Sequence, residues 1–181
     1  VVMKKRQAGF SSKFCAPLVR ELFFSRGSPN YIAKYEEAQV LKAWTEIIEP
    51  YREHINAHTP WYRDFNPSKP LNWRAAKEVI DEHGRKLIRG RKNTLKGLVL
   101  SKSASKGVGG GAKWIFGDES GVNPVLSKFK GYINSMMTYG NVKTGTVIFS
   151  GAVGELKHLE AGLKDYMTDP EAHGFYSIDN I

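Results

Sequence analysis

The stretch YIAKYEEAQVLKAWTEIIEPYREHINA, residues 31–57, decides the fold class. Its apolar positions Tyr35, Ala38, Leu41, Trp44, Ile48, Tyr51 and Ile55 recur at intervals of three and four, the spacing of one helix face. Pro50 lacks a backbone donor and clashes with the preceding turn, so the spacing predicts a kink or a restart there. Thr59 to Pro67, with Pro60, Pro67 and then Pro70, ends the helix in an aromatic-rich loop carrying Trp61, Tyr62 and Phe65.

Downstream, Asn72 is read as the cap of a second helix with the apolar face Ala75, Ala76, Val79 and Ile80, closed by a left-handed Gly84. Lys86 to Ile88 and Leu95 to Leu100 read as a β-hairpin about the turn Gly90-Arg91-Lys92-Asn93. Ser101 to Ala112 is a Lys/Gly-rich loop, and Trp114-Ile115-Phe116 a short apolar run. Asn123-Pro124 opens a helix with the stripe Val125, Phe129, Tyr132, Ile133 and Met136, followed by a β-branched strand over Thr144 to Phe149. The sum is an α+β chain: a long N-terminal helix, a shorter helix, a small antiparallel sheet with a Lys/Gly-rich loop, and a further helix packed on the sheet. Residues 1–30 read as an N-terminal arm, 31–168 as one α+β domain and 169–181 as a C-terminal tail. The arm's Phe10, Phe14, Leu18, Leu22, Phe23 and Phe24 either pack on a neighbour or fold back on their own domain.

With 41% hydrophobic and 25% charged residues among 181, the composition is that of a folded chain. No apolar run approaches the roughly 18 residues of a membrane span. The start Val1-Val2-Met3-Lys4-Lys5-Arg6 has no signal-peptide core, so no membrane partner and a cytoplasmic origin are expected. Cys15 is the only cysteine, which excludes an intramolecular disulfide and reads as a packing or surface thiol. The net charge of +9 is uneven. Arg85, Lys86, Arg89, Arg91, Lys92, Lys96, Lys102, Lys106 and Lys113 lie between Gly84 and Gly117 with no Asp or Glu, and the remaining 18 basic residues balance 18 acidic ones. These nine are the candidate contacts to DNA or to an acidic partner, a solvated face being the plainer alternative.

Catalytic motifs are not legible. His54 and His58 stand four apart on one helix face, but the order Glu53-His54 is not that of the His-Glu-x-x-His metalloprotease pattern, and they read as solvated or hydrogen-bonding residues. Gly109-Gly110-Gly111-Ala112-Lys113 lacks the Gly-x-x-x-x-Gly-Lys-Ser/Thr order of a phosphate loop and reads as a flexible segment. The pairs Asp81-Glu82 and Asp118-Glu119 adjoin glycines and read as caps and turns. No catalytic residue, cofactor or metal is therefore expected. Phe14, Phe23, Phe24, Trp44, Trp61 and Tyr62 are the candidate interface anchors, while Trp61, Tyr62, Phe65 and Trp73 would also serve to stack bases.

The segment Thr146 to Asp165, with Phe149-Ser150-Gly151, His158 and Gly162-Leu163-Lys164-Asp165, resembles the strand, turn and short helix of phage tail-completion (virion morphogenesis) proteins. The long helix followed by His58-Thr59-Pro60-Trp61 is similar to that family's helix and loop, and the likeness spans residues 34 to 165. The resemblance implies a non-enzymatic virion component, made in the host cytoplasm. It would form a homo-oligomeric ring that joins the phage tail to the head connector around the DNA channel, against the connector, tail terminator or tube. The alternative reading is a sequence-nonspecific nucleic-acid-binding protein, such as a nuclease accessory.

Overall fold

The computed structural model describes residues 2–3, 9–59, 70–102, 111–151 and 164–176. In chain order the elements are β1 (Val2–Met3), α1 (Phe10–Phe24), β2 (Pro29–Lys34), α2 (Glu37–Ala43), a π-helical turn (Trp44–Ile48), α3 (Glu49–His58), β3 (Asn72–Ile80) and β4 (Lys86–Val99). They continue with β5 (Trp114–Gly117), a 3-10 turn (Ser120–Val122), α4 (Leu126–Met137), the two-residue strands β6 (Thr138–Tyr139) and β7 (Val142–Lys143), β8 (Thr146–Gly151), α5 (Lys164–Thr168) and a 3-10 turn (Glu171–His173).

One six-stranded sheet runs in the order β1-β8-β5-β2-β4-β3, and only the last pair is antiparallel. The α+β class read from the sequence stands, but the sheet is mostly parallel rather than small and antiparallel. Parallel strands need cover on both faces, and the sequence supplies it by alternation. Ile32, Leu95 and Phe116 point into one core with Cys15, Leu18, Leu22 and Phe23 of α1 and with Val40, Trp44 and Ile48. Tyr31, Ala33, Leu98 and Ile115 point into the other, with Phe129, Ile133 and Met136 of α4, Phe149 and Tyr166. The aromatic stretch before Tyr31 therefore folds back on its own chain as α1.

Three local readings change, each for a physical reason. Asn72 to Ile80 is an edge strand, not a helix: Asp81 Oδ1 accepts from the His83 and Arg85 amides at 2.9 and 2.8 Å and, with Gly84 at φ 75°, makes a hairpin turn. A left-handed glycine closes a helix or a hairpin equally well, and the pairing Ile80↔Lys86 through Ala76↔Gly90 selects the hairpin. Lys86 to Val99 is one strand of 14 residues, because Gly90 (φ 126°) and Lys92 (φ 63°) form a bulge opposite Ala75 rather than a turn. Pro29 to Lys34 is a central strand, so the long helix begins only at Glu37, where Glu36 and Gln39 form a capping box. The restart before Pro50 takes the form of the π turn at Trp44–Ile48. No helix among the described residues is long and apolar enough to cross a membrane.

Because β2 pairs with β4 only over Thr94–Val99, the β3–β4 pair runs on past the sheet as a two-stranded ribbon ending at the Asp81–Arg85 turn. Ile80 and Ile88 are exposed on it.

Candidate active site

In an open parallel sheet, ligands bind beyond the carboxyl ends of the strands, where loops converge and helix N-termini point inward. Here that edge is formed by Met3, Gly151, Gly117, Lys34 and Val99, as the strand registers fix. Leaving β5, the chain reaches Asp118, whose side chain is almost wholly buried. Its Oδ2 accepts from Ser11 Oγ at 2.7 Å, in the first turn of α1, and its Oδ1 from Ser150 Oγ at 2.8 Å, on β8. The Lys34 ammonium at the end of β2 lies 3.0 Å from Oδ2. One carboxylate thus gathers groups from α1, β2 and β8.

Glu119 follows with left-handed backbone (φ 55°, ψ 34°), which turns its half-exposed side chain to the same ammonium at 3.4 Å. Ser120 then bonds Gly117 O at 3.0 Å and opens the 3-10 turn. Gly151 is needed against that turn, since a Cβ there would stand 2.7 Å from Gly121 N. Gly9, also left-handed at φ 68°, precedes α1, whose N-cap makes no side-chain hydrogen bond. The helix therefore presents its first amides beside Ser11, an arrangement suited to an anion. A hydroxyl and carboxylates form a hard-oxygen set of the kind that holds magnesium. A cavity of about 590 Å³ between Arg26, Gly27, Pro29, Lys113 and Thr144 opens at the opposite end of the sheet, and its described lining contains no carboxylate.

The nine basic residues do not form one strip. Arg85, Lys86 and Arg89 sit on the ribbon, Arg91 and Lys92 at its bulge, and Lys96 beyond the bulge on the same strand. Lys102 lies past the carboxyl end of β4, paired with Glu37, and Lys113 at the amino end of β5, while Lys106 lies outside the described residues. Arg85 is paired with Asp81 at 2.8 Å and Lys86 with Glu78 at 2.9 Å. Among the interface candidates, Trp44 and Phe23 are core residues, with Trp44 meeting Trp73 edge-on at 4.7 Å. Phe14 is half-buried against Phe116, Phe24 is exposed, and Trp61 and Tyr62 lie outside the described residues. His54 and His58 stack their rings at 4.1 Å, and no cluster of three or more His, Cys, Asp or Glu able to hold a metal occurs among the described residues.

Comparison with protein-family models and with curated proteins returns no match. Solved structures do match in fold. Two structures of the Thermus phage P74-26 large terminase ATPase domain align with TM-scores of 0.62 and 0.67 at 16% identity, over 83% and 99% of this chain and 58% and 74% of theirs. The HK97 bacteriophage large terminase aligns at 0.60 with 12% identity, over 99% of this chain and 34% of that one. A thermophilic bacteriophage large terminase in complex with ADP aligns at 0.54 with 10% identity, over 98% and 39%. The chain thus spans a little over half of the first of these domains and about a third of the whole HK97 terminase.

These likenesses overturn the tail-completion resemblance: the fold is similar to that of terminase ATPase domains, and the strand at Thr146 belongs to this chain's mostly parallel sheet. The expectations of a ring-forming neck component and of a chain without catalysis fall with it, and nothing in the comparisons supports the alternative of a nonspecific nucleic-acid-binding protein. The residues that sequence reasoning missed are Ser11, Lys34, Asp118, Glu119 and Ser150. One signal was present: Trp114-Ile115-Phe116-Gly117 is a short apolar run ending in two adjacent acids, the pattern of a buried strand delivering carboxylates to a sheet edge.

Proposed function

We propose that this chain is the ATP-binding and hydrolysing core of a phage DNA-packaging motor of the large-terminase kind. The observation that carries the reading is the Ser11–Asp118 hydrogen bond, which joins the first turn of α1 to the end of the central strand β5. In phosphate-loop NTPases a Ser or Thr at that helix start and an Asp at that strand end hold magnesium. Of the phosphate-loop pattern only Gly9 and Ser11 match Gly-Lys-Ser/Thr, with Phe10 in the lysine position and Lys4, Lys5, Arg6 and Lys13 as the cations closest in sequence. Bound with the nucleotide, the metal would neutralise charge on the phosphates. Ser11 and Asp118 would hold it, the first amides of α1 would receive phosphate oxygens, and Ser150 would keep Asp118 oriented. Glu119, less buried than Asp118 and next to it, is the residue to take a proton from the attacking water.

In this reading the exposed cations Arg89 and Lys92 of the ribbon serve DNA, as a two-stranded β-ribbon fits a groove and cations meet phosphates. The deciding experiment is an ATPase assay on Glu119→Gln. Turnover is expected to fall by about 10²- to 10⁴-fold while a fluorescent ATP analogue still binds. Wild-type turnover in that variant would overturn the reading.

A further inference from the structure

Lys34 has no part in the mechanism above, yet it is the most buried cation described, its side chain only 8% exposed. Its backbone is fixed on both sides: Leu100 N donates to Lys34 O at 3.0 Å, and Asp118 N to Ala33 O at 3.1 Å. The side chain therefore starts from a fixed point at the sheet edge, and its ammonium lies 3.0 Å from Asp118 and 3.4 Å from Glu119. On Asp118 it shares Oδ2 with the Ser11 hydroxyl, so the oxygen a metal would approach is already occupied by two donors. An ammonium so buried requires counter-charge, and the two acids supply it.

We propose that Lys34 is a built-in counter-ion and positioning residue for this acidic pair. It keeps Asp118 and Glu119 from collecting a free divalent cation in the nucleotide-free protein, and it aims Glu119 until the metal arrives with its phosphates. The inference rests on the nucleotide-site reading but is tested apart from it.

The experiment is manganese titration of the nucleotide-free protein, followed by electron paramagnetic resonance, for wild type, Lys34→Met and Lys34→Arg. Removing a unit charge about 3 Å from a carboxylate is expected to tighten manganese binding roughly tenfold or more in Lys34→Met, with Lys34→Arg as weak as wild type. In the double variant Lys34→Met with Asp118→Asn the gain should disappear. Equal manganese affinity in folded Lys34→Met and wild type would overturn the proposal. Should Lys34→Met fail to fold, the wild-type ammonium resonance of Lys34 decides: it should be visible and protected without nucleotide and shift when magnesium and ADP are added. A resonance exchanging freely with water would sink the idea. If the manganese result holds but wild type binds no magnesium–ATP, the functional reading fails and the counter-ion assignment stands.

Discussion

At Asp118 a single carboxylate ties together residues 107 and 32 positions away in sequence. Such a group is stable only while its partners stay. Replacing Asp118 by Ala leaves the Lys34 ammonium in a nearly closed site with only the half-exposed Glu119 as counter-charge, and breaking a buried pair from one side costs about 3–5 kcal/mol. Urea denaturation of Asp118→Ala should register a loss of that size, whereas Ser150→Ala, which removes one hydrogen bond to a charged acceptor, should lose about 1.5–3 kcal/mol. Equal losses in the two variants would contradict this account of how the site is held. The sequence offered Asp118-Glu119 as a turn, and a turn it is, with Glu119 left-handed. What the local reading missed is that this turn stands at the carboxyl end of a central strand.

The ribbon of β3 and β4 is closed at its turn by one side chain, Asp81, which accepts from the His83 and Arg85 amides and from the Arg85 guanidinium. Asp81 is held below its ordinary pKa chiefly by the Arg85 amide, then by the Arg85 guanidinium and the His83 amide. A carboxyl depressed in the folded state contributes above its unfolded value and loses that contribution as pH falls through the folded one. The turn at Asp81–Arg85 should therefore open only as pH falls below the ordinary aspartate range, seen as a loss of protection of the Arg85 amide relative to its intrinsic exchange rate, while protection in the Asp81→Asn variant should depend little on pH over that range. Gly90 holds the bulge at φ 126°, with Ala75 O 2.8 Å from where a Cβ would stand. Gly90→Ala should cost about 1–3 kcal/mol without altering ATP turnover. The cues for this element, an Asp, a left-handed glycine and alanines, were legible but fitted a helix end as well as a hairpin. Backbone pairing with Lys86–Lys96 decided between them.

For the whole molecule, a ligand bound only by the native state adds stability by mass action. Saturation to a hundred times Kd is worth about 2.7 kcal/mol, and for a chain of this size each kcal/mol moves Tm by roughly 2–4 °C. Magnesium–ATP should therefore raise Tm by about 5–10 °C in wild type and leave the double variant Ser11→Ala, Asp118→Asn unmoved. A shift of the same size in both would remove the site from the nucleotide.

By itself the sequence determined what nearest neighbours determine. The helical stripe through Trp44, the interruption before Pro50, the strands at Trp114 and Thr146, the helix through Phe129 and the one-sided charge after Gly84 all follow from spacing within a few residues. Only the tertiary structure decided which strands lie side by side and in which direction, because parallel pairing is closed by backbone bonds between segments tens of residues apart. Ser11, Lys34, Asp118 and Ser150 become one site through that pairing, and beyond the apolar run that ends at Asp118-Glu119 no local pattern of side chains marks it.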